Sequence, residues 1–432
     1  MILAHGIGAR ADLPISSVAL AWGATIALVI SFGALGAMWR EPRLASEAAG
    51  RPAPGWADRL VRGLAWPARI VALLLYGETL GAALFGSRFD VLNLSPFMIF
   101  VGLWVVMPML QAVFGDVWAD INPLDQLAVV AERLGKRLGL HRERSFGHWP
   151  AVVTIAGFLW LELAYHSPSQ PRILGWLMVL YTVIVVGPAL VWGREWSRNA
   201  DGFAVYFGLI AHISPLFRSG DRLYVRRPFT GLGRVEIRPG TTALLLVTLG
   251  GTTFDGFSRT SIWRKLVIDR VGWGVTAVNT LGAVWVIGLV ALVYLYASRR
   301  ARRHLQTDLR PEDVFASSLI PIALGYGIAH YFSLAVFEGQ NLLIRLSDPY
   351  GSGIDLFGTA GWKVNFLLVS TATIAWVQVG AIVFGHMAAV VAAHDRALEV
   401  AADVEDATRS QHAMLGVMVA YTITGLFLLL GA

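Results

Sequence analysis

The side chains best suited to chemistry are few, and they sit in apolar sequence: Glu162, His166, Asp255, His330, Gln378, His386 and His394, with His5 near the start. An ionisable group inside a bilayer costs about 2.5–3.5 kcal/mol on insertion scales, so each one within a span is a functional candidate by default. Glu162 and His166 are four residues apart and would share one helix face. Neutral imidazoles with carboxylates suit zinc, copper or another divalent transition metal. A metal held by His166, His330 and His5 would activate water, with Glu162 and Asp255 as acid–base groups. Gln378, Ile382, His386, Val390 and His394 follow a four-residue ladder, so the polar members line one face and suit a hydrated or proton-conducting path. Glu162 and His330 paired as glue between helices is the structural alternative. Haem would need a second axial histidine at the depth of His386, and His330 is expected at another depth.

Those side chains must be positioned by membrane-spanning helices. A span needs about 20 apolar residues. Ten segments qualify, near 14–38, 67–86, 96–114, 149–166, 173–193, 241–256, 275–298, 314–337, 363–393 and 412–431. The stretch 241–256 is short, rich in Thr, contains Gly250-Gly251 and ends at Asp255, so it reads as a full span, a half-helix or a re-entrant piece. Alternate loops carry 25 basic residues on one side of the bilayer and 8 on the other. The basic side is cytoplasmic, which places both termini outside and the loops 115–148 and 194–240 inside, with loop 338–362 outside. Under this topology Glu162, Asp255, His330, Glu338 and His5 share a depth near the outer interface. Glu78 lies mid-span in the second helix. Pro108, Pro188 and Pro321 fall inside spans and predict kinks.

The connections add detail. Residues 124–139 form an amphipathic helix with Glu132, Arg133, Lys136 and Arg137 on its polar side, suited to the cytoplasmic leaflet. Residues 202–216 read as a second amphipathic stretch. Runs at 223–225 and 235–237 predict a small hairpin. The Asp- and Gly-rich segment 347–358 reads as a lid or as a turn-held connection. Leu3-Ala4-His5 is similar to the tail of a signal-peptide cleavage site, which would start the mature chain at or near His5; the alternative is a short polar tail on the outer face.

Composition removes other classes. Of 432 residues 56% are hydrophobic and 15% charged, with a mean hydropathy of +0.59. Soluble domains carry about 25% charged residues. The expected fold is therefore an all-α polytopic integral membrane protein of the plasma membrane, one membrane domain with the lipid bilayer as its solvent. With no Cys there is no disulfide, thiolate nucleophile or iron–sulfur cluster. The net charge of +6 is spread over membrane-flanking loops, which argues against a nucleic-acid partner. Phosphate-binding loops, nucleophile elbows and calcium-binding loops are not found in the sequence.

Several short motifs run together through the chain: Ala4-His5-Gly6-Ile7-Gly8, Asp12-Leu13-Pro14-Ile15, Trp39-Arg40-Glu41-Pro42, Gly115-Asp116-Val117-Trp118, Asn122-Pro123, Thr253-Phe254-Asp255-Gly256, Ala329-His330-Tyr331, Gly385-His386 and Ala393-His394. In these the chain resembles polytopic actinobacterial membrane proteins labelled fenitrothion hydrolase. The resemblance implies attack of water on an organophosphorus ester, and it carries over no catalytic residue. Three functions are compatible with the sequence. One is a metal-assisted hydrolase at the outer face. Another is a transporter or proton-coupled permease for a small or metal solute, running past Gln378, His386 and His394. The last is a structural subunit of a membrane complex.

Overall fold

The computed structural model describes residues 17–430, which are mostly helical with only three short strands. His5 and both readings of the first residues lie outside that range. The main helices are α1 (Ser17–Met38), α2 (Gly55–Phe85), α3 (Leu94–Phe114), α4 (Pro123–Arg137), α5 (Trp149–Leu163), α6 (Pro171–Val186) and α7 (Ala189–Ala200). They continue with α8 (Gly202–Ala211), α9 (Thr241–Ser258), α10 (Trp273–Ala301), α11 (Leu319–Ser347), α12 (Thr371–Val400) and α13 (His412–Leu430). Among the described residues six helices, α2, α3 and α10–α13, are long and apolar enough to cross a membrane. The number is seven if α6 and α7, bent by 108° at their junction, form one span. Gly187 and Pro188 between them keep helical dihedrals, and the backbone breaks at Gly193 inside α7, at φ 69° and ψ −170°, which glycine adopts without a Cβ clash. Large apolar side chains such as Val153, Trp176, Leu281, Trp285 and Leu292 stand exposed on the outside of these helices, as lipid-facing residues do.

Local sequence explains several departures from expectation. The stretch beginning at Gly202 is not a surface helix. Nearly all of α8 is buried, because Gly202–Ala211 carries no charged side chain and a helix apolar all round goes to the core. The helix α4 is amphipathic as expected and packs along α7, with Asp125 holding Arg194 in a two-pronged ion pair. The hairpin pairs β2 (Leu216–Ser219) with β3 (Arg222–Val225) rather than with 235–237, and β1 (Arg51–Pro52) adds a third strand. Gly220, at φ 58°, supplies the left-handed residue of its two-residue turn. The helix α11 continues to Ser347, so residues 338–347 are helical and the connection begins at Asp348. Asp348 accepts from the backbone N–H groups of Ser352 and Gly353, which makes it a turn held by its own side chain.

The core gathers α5, α8, α9 and α11. The helix α9 is a single continuous element of 18 residues, buried along most of its length. It fits because Gly250 and Gly251 remove side chains from two faces. A Cβ on Gly250 would lie 2.6 Å from Ile287 Cα on α10, and one on Gly251 would lie 3.0 Å from Leu159 on α5. In α3, residues Phe97–Val106 form a π-helical stretch that ends just before Pro108. Wider turns of this kind often mark functional segments. This one packs against α11 and sets Phe100 and Trp104 on Phe158 of α5.

Candidate functional site

Where α5, α9 and α11 meet, three side chains singled out from sequence come together. Glu162 is at the C-terminal end of α5, Asp255 near the C-terminal end of α9, and His330 in the first half of α11. His330 Nε2 and Asp255 Oδ2 are 2.6 Å apart, a charge-assisted distance. Tyr331, next in the chain, places its hydroxyl 3.3 Å from Asp255 Oδ2 and 3.3 Å from Glu162 Oε1. Arg259, one turn after Asp255, donates to Asp255 Oδ1 at 3.4 Å. Tyr326, one turn before His330, stacks on its ring at 5.8 Å.

The result is a hydrogen-bonded line from Glu162 through Tyr331 and Asp255 to His330. Its side chains are shielded: His330 is 6% exposed, Asp255 5% and Tyr331 4%. Glu162 Oε2, His330 Nδ1, Arg259 Nε and Tyr326 Oη are buried and have no hydrogen-bond partner among the described residues. Native cores rarely leave polar atoms in that condition, and each such atom calls for a reason. Two carboxyls face one guanidinium and one imidazole, so the number of bound protons decides the cluster's net charge. Protons can travel along a line in which each group both gives and accepts one.

The other predicted residues are elsewhere. His166 does not share a face with Glu162, because α5 stops at Leu163 and the i, i+4 relation fails beyond a helix end. Its backbone N–H and Nδ1 both meet Thr276 Oγ1, at 3.1 and 3.0 Å, and its ring lies between Tyr165 and Trp273. The polar ladder on α12 splits in two. His394 Nε2 reaches the Trp39 carbonyl at 3.0 Å, and Gln411 Nε2 meets His394 Nδ1 at 3.1 Å, so both ring nitrogens are engaged. His386 and Gln378 are also buried, yet His386 Nε2 and Gln378 Oε1 have no partner among the described residues.

Among the described residues, no group of three or more His, Asp or Glu side chains is arranged to hold a metal. The donors expected for zinc or copper are engaged with protein: His330 with Asp255, and His166 with Thr276. They do not form a ligand set, and no metal-assisted step is derived from them.

Arg259, Tyr331 and Tyr326 were not singled out as site residues from sequence. Arg259 was legible as the i+4 neighbour of Asp255, and Tyr326 as the i−4 neighbour of His330. Tyr331 sits on the adjoining face and reaches the cluster only because α9 packs so closely; sequence spacing carries no sign of that. Comparison of the chain with protein-family models, with curated proteins and with solved structures yields no match.

Proposed function

We propose that this chain is a multi-pass plasma-membrane protein in which the Glu162–Tyr331–Asp255–His330 line binds and passes protons, coupled to the movement of a small solute. Ten spans with both termini outside and the arginine-rich loops in the cytoplasm complete this reading. One observation carries it: the 2.6 Å Asp255–His330 pair joined through Tyr331 to a second buried carboxyl. Chains of Asp, Glu and His within membrane helices serve as proton relays. A proton arriving at Glu162 passes to Asp255 as the Tyr331 hydroxyl takes one proton and releases another, and Asp255 hands it to His330. Arg259 keeps a positive charge beside Asp255 throughout. Each change in cluster charge alters the attraction between α5, α9 and α11, which is how proton binding would bias helix packing and couple to a solute. The broken α6–α7 pair and the π-helical stretch of α3 are the pliable neighbours in this scheme.

The test is proton flux. The full chain in liposomes with an entrapped pH-sensitive dye is expected to dissipate an imposed pH gradient, and Asp255→Asn is expected to stop it. Flux equal to that of protein-free liposomes would end this reading.

A second reading, water attack on an organophosphorus ester, is favoured by one feature. Asp255 orients His330 through Nε2 and leaves Nδ1 unengaged, as in a general-base pair. Ester turnover by purified protein that is lost in His330→Gln would favour it over proton transport.

A further inference from the structure

The line of polar atoms continues past His330. His386 on α12 is 2% exposed. Its Nδ1 lies 2.9 Å from the Ile382 carbonyl, so Nδ1–H donates and Nε2 is left as a bare acceptor. That Nε2 is buried with no partner among the described residues. An unpaired buried polar atom costs about 1–3 kcal/mol, so packing alone is a poor reason to keep a histidine there. Tyr421 on α13 packs on this imidazole, ring centroids 6.0 Å apart. It is the titratable side chain set against His386, whose own one-turn neighbours, Ile382 and Val390, are apolar.

Tyr421 leads back to the cluster. Its hydroxyl shares a 2.5 Å hydrogen bond with Thr253 Oγ1, two residues before Asp255 on α9, and lies 3.2 Å from the Leu249 carbonyl, which Thr253 Oγ1 also reaches at 2.7 Å. Tyr326 approaches from the other side. Its ring stacks on His330, its hydroxyl lies against Gly256, and its ring edge meets Gly425, one turn beyond Tyr421. Two tyrosines contributed by different helices thus each pack on one of two histidines, and each histidine has one nitrogen unengaged among the described residues.

We propose that Tyr326 and Tyr421 join His386 to the Asp255–His330 pair, making His386 the inner proton-binding station of one continuous path. This rests on the proton-passing reading of the Asp255 cluster. The path requires a bridging water wherever two of the named groups are not in direct hydrogen-bond contact. Each tyrosine gives its hydroxyl proton to one neighbour and takes one from the other, so it ends each transfer unchanged. His394 is outside the path, since both of its nitrogens are engaged.

Proton flux through the full chain in dye-loaded liposomes separates the claims. Tyr326→Phe, Tyr421→Phe and His386→Gln are each expected to slow flux about tenfold or more. Tyr294→Phe, a buried tyrosine whose hydroxyl binds the Glu312 carbonyl, should leave it unchanged. Unfolding temperature is read for every variant. If His386→Gln does not fold, Tyr421→Phe, which removes a single oxygen, decides alone. Wild-type rates in folded Tyr326→Phe and Tyr421→Phe, with Asp255→Asn inactive, would overturn the relay and leave the Asp255 reading standing. Wild-type flux no faster than protein-free liposomes would overturn both.

Discussion

Two buried polar regions of this molecule look alike in sequence and differ in structure. Toward the C-terminal end of α12, His394 and Asp395 are satisfied. Asp395 Oδ1 accepts from Trp39 Nε1 at 3.0 Å and from the Arg43 backbone N–H at 2.7 Å, and Asp395 Oδ2 accepts from the Leu44 N–H at 3.2 Å. His394 and Gln411 close the rest, with Gln411 Nε2 also donating to the Ala407 carbonyl at 2.7 Å. This is a clamp that fixes the segment after α1 onto α12. The Glu162–Asp255–His330 cluster is as deeply set, yet it leaves four polar atoms unengaged among the described residues. A satisfied network rigidifies, whereas groups left ready to exchange protons reduce stability and permit chemistry. Burial and residue type do not distinguish the two regions; hydrogen-bond completeness does.

That contrast can be broken by mutation. The largest effect is expected at Asp395→Ala, which strands three donors and should cost about 3 kcal/mol or more, seen as a lowered unfolding temperature in detergent. Wild-type stability would show that the clamp holds nothing. Next, Gly250→Ala should cost about 1–3 kcal/mol, because the new Cβ meets the α10 backbone, with loss of flux following loss of the α9 fit. In the cluster itself, His330→Gln should stay within about 1 kcal/mol of wild type, since the amide can still donate to Asp255 and Arg259 keeps its carboxylate. A large loss there would make the cluster a second clamp.

The last effect is a slope with pH, outside the spans. His148 precedes α5 and meets Thr241 Oγ1 at 2.7 Å; burial, with the Arg238 charge second, pushes its imidazole down to about 4 from 6.5. The folded protein therefore binds fewer protons than the unfolded chain between those values. Its contribution is complete above pH 6.5 and is lost as pH falls towards 4. The stability difference between wild type and His148→Gln should follow that curve in thermal melts and be flat above pH 7.

Much of this was legible in the sequence. Apolar runs of span length locate the long helices, and the expense of burying charge picks out Glu162, Asp255 and His330 before any packing is known. What was not legible depends on three-dimensional fit. The end of α5 at Leu163 removes His166 from the cluster. The burial of α8 shows that an apolar stretch flanked by basic residues need not lie on the bilayer surface. The division of the α12 ladder depends on Trp39 and Gln411, far away in sequence, arriving to satisfy His394 while nothing described satisfies His386 Nε2.

The most direct test is proton flux across liposomes at a fixed pH gradient, with Asp255→Asn measured beside Gln411→Leu. The first changes the cluster and the second changes the clamp. Folded Asp255→Asn should carry no flux above protein-free liposomes, while folded Gln411→Leu should conduct like wild type despite a lower unfolding temperature. Equal flux in Asp255→Asn and wild type would contradict the account.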